Sequence, residues 1–458
     1  MNGRVRLALV FFAKHSEPLM AWPAHDFRPA TKIEQLSEES EEWARRLGGR
    51  VEFIVKRWVR DKGDLEYVKG LSEEFDGVVA YVLTTGLEYE LFFRTVREMG
   101  KPTLVLTEPY YSLIWPRVSS LMREGLPVVG VSSSSREDFV KALKALYASI
   151  MLRRGVKTVV VSTPEEMKLE SLHRSSIYVG DRGANPEYYK RVRESLNLEF
   201  IDYRDFLKAV DAVDGAEALR IARGLMEGAY HVRDGIIFED VVKAVRMYLA
   251  AKRLIEEKGA QAFAINCFAI LLRDIGTMPV TPCVAVTLLN DEGIPAACEA
   301  DLSSLVMQIA FKYLADRPAW ITDPVIDFSG GCVIYAHCTA PTRMCGFGSP
   351  PEPYALDTHD ESGKPLVVRT KMKVGGEVTV AQLSLDFTNL FLHCGWIEDA
   401  PVIDLACRTK IKIKVKDAKK YLWEYGMPLH RVVIYGHWLN DLELLARFLG
   451  LRTHIEVE

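Results

Sequence analysis

The first 266 residues of this 458-residue chain contain no cysteine; all eight fall at Cys267, Cys283, Cys298, Cys332, Cys338, Cys345, Cys394 and Cys407. No two are spaced as C-x-x-C, which removes the commonest redox and zinc-ribbon signatures. A zinc site drawn from His337, Cys338, Cys345 and the His393-Cys394 pair matches the spacing of no common structural module. The chain also lacks any apolar run of transmembrane length. The run at 7–12 is short, flanked by charge, and reads as a first buried strand rather than a signal-peptide core. The expectation is a cytoplasmic protein with reduced thiols. Basic excess is missing as well. Lys and Arg number 58 against 62 Asp and Glu, a net charge of -4, so there is no electrostatic footprint of a general nucleic-acid binder. The one basic cluster, KIKIKVKDAKK at 410–420, alternates with apolar residues and reads as a solvated strand face. There is no internal repeat and no low-complexity segment.

The chain is too long for one ordinary hydrophobic core, so two or three domains are expected. Apolar segments at 5–12, 51–55, 77–83, 103–106 and 127–131 alternate with helical patterns at 33–47, 88–99 and 136–153. That is the rhythm of a doubly wound sheet. A second βα region starts near 156, with strands at 158–162 and 176–179, a turn from Asp181, and helices dominating 187–259. The stretch 261–271 reads as a further buried strand. Beyond about 320, strands at 333–335, 367–374, 377–385 and 408–415 follow one another without long helices, which indicates a β-rich or barrel-like domain. The expected fold class is α/β: two Rossmann- or flavodoxin-like βα domains at 1–154 and 155–320, then a β-rich domain at 321–458. The Pro-, Gly- and Ser-rich stretch 341–360 is long for a structureless connection, a length associated with function.

The most informative stretch is TPCVAVTLLNDEGIPAACEAD at 281–301. Small residues, Ala296-Ala297-Cys298, deliver two carboxylates, Glu299 and Asp301, as a buried and positioned acid requires. Three more ligand-type residues follow. Asp323 lies in Ile321-Thr322-Asp323-Pro324 at an expected strand end, His337 ends the next apolar run, and His430 precedes a strand. Mixed carboxylate and imidazole donors suit a divalent metal such as Mn²⁺ or Co²⁺. Each residue alone has a structural alternative. Glu299 can cap a helix or pair with an arginine, Asp323-Pro324 is a common turn, and a lone histidine is more often hydrogen-bonded structure. Asp301 and Asp327 compete for a ligand role, with Asp301 read as a helix-start or supporting group. Only the combined set favours a metal.

At these residues the chain resembles the L-fucose isomerase and L-arabinose isomerase superfamily, closer to the L-fucose branch. The 281–301 segment resembles the one carrying the family's metal-binding glutamate, which falls on Glu299. The Glu299–Asp323 spacing suits a Glu and an Asp ligand. HRVVIYGHWLNDLELLARFLG resembles the histidine-bearing segment, with His430 as ligand and His437 as its second histidine. The resemblance covers roughly 280–458 by motif and the rest by layout alone. It implies a metal-dependent aldose–ketose isomerase working through an enediolate, with Glu299 and Asp323 catalytic. Glu299, Asp323 and His430 would hold Mn²⁺, with Co²⁺ or Mg²⁺ as alternatives. His337, His437 and Trp22 would contact sugar, and the protein would be a homo-oligomer, a hexamer or trimer. A non-catalytic sugar-binding protein and a related epimerase remain alternatives on the same scaffold.

Overall fold

The computed structural model describes residues 3–14, 22–84, 88–111, 113–172, 186–273, 278–425 and 429–456. The strand expected at 176–179 and the turn from Asp181 lie outside them. The fold is mixed α/β, with parallel-sheet βα domains and a closed antiparallel barrel-like domain at the C-terminal end. By contacts the chain divides into two compact units. Residues 1–153 with 440–452 form one, and 154–439 with 453–458 form the other.

The first unit is built on a five-stranded parallel sheet. In spatial order its strands are Val51–Val59, Val5–Phe12, Gly77–Val82, Thr103–Thr107 and Val128–Ser132. The second strand in space is the first in sequence, the flavodoxin-like order. Gly77–Val82 and Thr103–Thr107 are buried throughout, as strands covered by helices on both faces must be. Residues 440–452 belong with this unit rather than with the barrel; Arg153 donates to the Phe448 carbonyl at 2.7 Å.

The second unit holds a parallel sheet of Ala296–Ala297, Ala262–Ile265, Val156–Ser162 and Leu196–Asp202, in that order. The helix Phe238–Lys258 lays Val241, Val245, Tyr248 and Ile255 into its core and ends on Gly259, whose φ of 59° terminates it as only glycine does freely. The expected strand at 261–271 is two elements: the strand Ala262–Ile265 and the helix Cys267–Arg273. Likewise the apolar run of the 281–301 segment is the helix Cys283–Asp291. Short all-apolar runs carry no periodicity that separates the two states.

Six strands of the same unit close into an antiparallel barrel. Its order is Glu377–Leu383, Arg431–Tyr435, Trp320–Asp327, Cys332–His337, Thr409–Lys414 and Asn389–Asp399, which pairs back onto the first. Closure leaves no exposed edge among these six. Its core gathers Trp320, Val333, Tyr335, Val380, Ile411, Ile413 and Val433. The basic strand is not simply a solvated face: Lys410 is buried and donates to the Ile403 carbonyl at 3.0 Å. Among the strands that escape the sequence reading are Leu196–Asp202, inside the stretch taken as helical, Asn389–Asp399, and Tyr354–Thr358, inside the stretch taken as a loop. Tyr354–Thr358 pairs with Pro365–Thr370 and His231–Val232. Its Tyr354 and Leu356 join the core around the long helix, which binds barrel-side and βα-side segments into one unit.

Candidate metal centre

The parallel sheet of the second unit delivers the first ligand. Ala296 and Ala297 pair with Phe263 and Ala264, and the chain then turns sharply through Cys298–Ala300. Glu299 sits at φ 54° and Ala300 at φ 48°, a left-handed backbone that non-glycine residues adopt only where surroundings enforce it. The two alanines before the turn are fully buried. Asp301 then caps the helix Leu302–Ala315 by accepting from the Ser304 backbone N–H at 3.0 Å.

The barrel delivers the other ligands. His337 ends the strand Cys332–His337, and His430 immediately precedes Arg431–Tyr435. Asp323 lies inside Trp320–Asp327 rather than at a strand end, opposite Ala336. The antiparallel pairing of Thr322 with Arg431 places His430 one step further along, beside Asp323. Both imidazoles are buried, with ring centroids 5.8 Å apart.

His337 Nε2 is 3.7 Å from Glu299 Oε1, and His430 Nε2 is 3.8 Å from Glu299 Oε2. Asp323 flanks both, at 3.3 Å from His430 Nε2 and 3.9 Å from His337 Nε2. Glu299, His337 and His430 form a group whose ligand atoms all lie within 4.8 Å of one another. Glu299 Oε2, His337 Nε2 and His430 Nε2 are buried without a hydrogen-bond partner. Three such atoms aimed at one point are costly unless something else satisfies them. Donors each about 2.1 Å from one cation lie roughly 3 to 4.2 Å apart, a range that holds the 3.7 and 3.8 Å contacts of Glu299 with His337 and His430. The residues therefore fit a divalent ion. His337 joins Glu299 and His430 in this group, and Asp323, the ligand expected from sequence, lies against both imidazoles.

The supporting hydrogen bonds aim the rings. Asp301 Oδ2 meets His430 Nδ1 at 2.7 Å, and the Thr339 hydroxyl meets His337 Nδ1 at 3.1 Å. Each occupies Nδ1 and leaves Nε2 for a ligand role. Asp301 is thus both helix start and imidazole support. Burial disfavours charge on His430, yet the Asp323 carboxylate and the Asp301 bond outweigh it and hold its pKa well above the usual range. His337 is raised in the same way, burial being outweighed by Glu299 and Asp323. Asp323 resists the effect of burial and is held down by His430.

A cavity of about 230 Å³ opens beside these groups. Its lining includes Glu299, Asp323 and His337, the acids Asp360 and Glu361, and His359. Burial and the neighbouring His337 push His359 down to about 4, so it is uncharged near neutrality. Burial, then Glu299 and Asp323, raise Glu361. These three residues were not singled out from sequence. Their signal was the run His359-Asp360-Glu361 at the end of the long Pro- and Gly-rich stretch.

His437 is not brought into the cluster. It is half-exposed and pairs with Glu377 at 3.0 Å. Trp22 lies in the first unit with 44 % of its surface exposed, whereas the cluster is built wholly from second-unit residues. The zinc alternative does not assemble among the described residues. His393 is buried between Tyr335 at 2.9 Å and Glu456 at 2.8 Å, Cys394 contacts Thr379, and Cys345 is exposed beside Glu352.

No family model matches the chain. It is similar to a sulfoquinovose isomerase of Clostridium sp. (strain MSTE9), with 26 % identity over 219 residues, which is 46 % of this chain and 47 % of the relative. The match thus spans about half the length of that curated relative.

Proposed function

We propose that this chain is a divalent-metal-dependent aldose–ketose isomerase acting on an uncharged sugar of the L-fucose, D-arabinose or L-arabinose type. The observation that carries the reading is the convergence of three buried, unpartnered ligand atoms on Glu299, His337 and His430. The partial similarity to a sulfoquinovose isomerase supports isomerase chemistry. Its name alone would favour a charged sugar. The cavity argues otherwise: four carboxylates line it, and none of its described lining residues is Lys or Arg. A sulfonate or phosphate there would meet like charge without a cationic partner.

A bound Mn²⁺-type cation would polarise the carbonyl and adjacent hydroxyl oxygens of the open-chain sugar and so acidify the C2 proton. Glu299, His337 and His430 would hold it. Asp323 is kept ionised by His430 and is the less buried acid, with 32 % of its side chain exposed against 16 % for Glu299. It is the group we assign to carry the proton between C2 and C1, with Glu299 facing it across the two imidazoles. His359, Asp360 and Glu361 would accept hydrogen bonds from sugar hydroxyls. We also propose a cytoplasmic homo-oligomer, for which the exposed Trp396, Val402, Ile403, Leu405 and Trp423 offer apolar contact area.

The test is a panel of neutral and sulfonated aldoses, scored for ketose by NMR. Chelator-stripped protein should lose turnover and regain it with Mn²⁺, and Glu299→Gln should abolish it. Turnover that survives both the chelator and Glu299→Gln refutes the proposal.

A further inference from the structure

Five of the eight cysteines, Cys267, Cys283, Cys298, Cys338 and Cys407, line the same cavity as Glu299. An isomerase mechanism uses none of them. Their placement follows from topology. Cys298 follows the strand Ala296–Ala297 and Cys267 opens the helix after Ala262–Ile265, so two adjacent parallel strands release thiols at the same sheet edge. Cys267 Sγ and Cys298 Sγ are 3.2 Å apart. Cys298 also contacts Cys283, yet no three thiols among the described residues come within mutual ligand distance, so the arrangement is not a preformed soft-metal site.

This pair is tied to the metal centre. Cys298 is the residue before Glu299, and the Glu299 backbone N–H donates to Cys267 Sγ at 3.4 Å. The turn between them holds the positive φ of Glu299 and Ala300. A disulfide requires the sulfurs to close from 3.2 Å to about 2.05 Å. Cys298 lies in the turn that carries Glu299, so any closure from its side moves that turn.

We propose that Cys267 and Cys298 form a redox-active dithiol that a small-molecule disulfide entering the cavity oxidises, and that the bond weakens metal binding by displacing Glu299. In the first step one thiolate attacks a sulfur of the reagent RSSR, forming a mixed disulfide and releasing RS⁻. The second thiolate then attacks the protein sulfur of that mixed disulfide and releases the second RS⁻. Two protein S–H bonds become one S–S bond, the two electrons pass to RSSR, and the two protons leave on 2 RSH. The consequence for metal rests on the ligand role of Glu299; the chemistry of the pair does not.

The experiment treats the full chain with bis(2-hydroxyethyl) disulfide, alkylates remaining thiols, and maps peptides by mass spectrometry. Mn²⁺ affinity is measured by calorimetry before oxidation, after it, and after re-reduction with dithiothreitol. The expected result is a Cys267–Cys298 linked peptide, absent in Cys298→Ser and in Cys267→Ser. It should be accompanied by a reversible fall in Mn²⁺ affinity of about tenfold, the scale of a misaimed ligand. Recovery of both residues as free thiols or mixed disulfides overturns the proposal. A linked peptide with unchanged Mn²⁺ affinity overturns the coupling to Glu299. If the reduced protein binds no Mn²⁺ at all, the metal reading fails, and the peptide map still decides the dithiol.

Discussion

Asp301→Asn separates the role of Asp301 in aiming His430 from its role in starting a helix. Asp301 Oδ1 accepts from the Ser304 backbone N–H at 3.0 Å and the Ser303 hydroxyl at 2.7 Å. Its Oδ2 meets the Ser304 hydroxyl and His430 Nδ1, each at 2.7 Å. Asparagine caps helices about as well as aspartate, so Oδ1 keeps its work. The amide nitrogen in place of Oδ2 presents N–H to His430 Nδ1. The ring then favours the tautomer with Nδ1 as acceptor and the proton on Nε2, the atom that should face the cation. Loss of such a supporting carboxylate weakens metal binding about 10- to 100-fold, or roughly 1.4 to 2.8 kcal/mol. Calorimetric titration with Mn²⁺ reads the affinity, and a thermal melt of the metal-free protein reads the fold. The expected outcome is the affinity loss with a melting temperature within a few degrees of the parent. An unchanged Kd refutes the assigned hydrogen bond. A loss of affinity matched by a large drop in stability refutes its separation from the cap.

Asp323→Asn should lower kcat by at least about 100-fold while changing Mn²⁺ affinity less than Glu299→Gln does, since general acid–base groups contribute on that scale; equal losses of affinity would return Asp323 to full ligand status. The metal-free protein should lose stability as pH rises. His337 and His430 have raised pKa values, so their contribution is complete below the unfolded value near 6.5 and disappears as pH climbs through the folded values. Mn²⁺ binding should strengthen over the same climb because it displaces those protons, and melts with and without Mn²⁺ across pH 6 to 9 would expose any failure of this opposition. Glu456→Gln should cost about 3 to 5 kcal/mol in chemical unfolding, because Arg431 would stay buried after losing its Glu456 carboxylate. Burial opposes the Glu456 charge, but Arg431 holds its pKa down, so this contribution is present above about pH 4.5 and fades as pH falls through the folded value. A loss below 1 kcal/mol would show that the pair is not the stabilising element it looks to be.

Much of the architecture was legible because period and punctuation agreed. The strand at 5–12 and the helices at 88–99 and 136–153 fall where the pattern placed them. Short apolar runs misled, as at 261–271, because a fully buried helix and a buried strand show the same composition. The strand Asn389–Asp399 was hidden by residues that neither alternate cleanly nor cluster; barrel closure, not local preference, makes it a strand.

The sequence by itself determined which chemistry was on offer. A tight run of small residues ending in Glu299, with Asp323 and the histidines at 337 and 430, marked the candidate donors before any contact was known. It could not rank them, because ligand distance is a property of register. Antiparallel pairing decides that Asp323 lies beside His430, and the ends of separate strands decide that His337 closes on Glu299 instead. The resemblance separated His430 from His437, seven residues apart, and the structure shows the physical difference: one is buried against Asp301 and the other reaches the surface toward Glu377. Residue identity supplies the donor atoms; only the closed barrel and the adjoining parallel sheet bring them within a cation's reach.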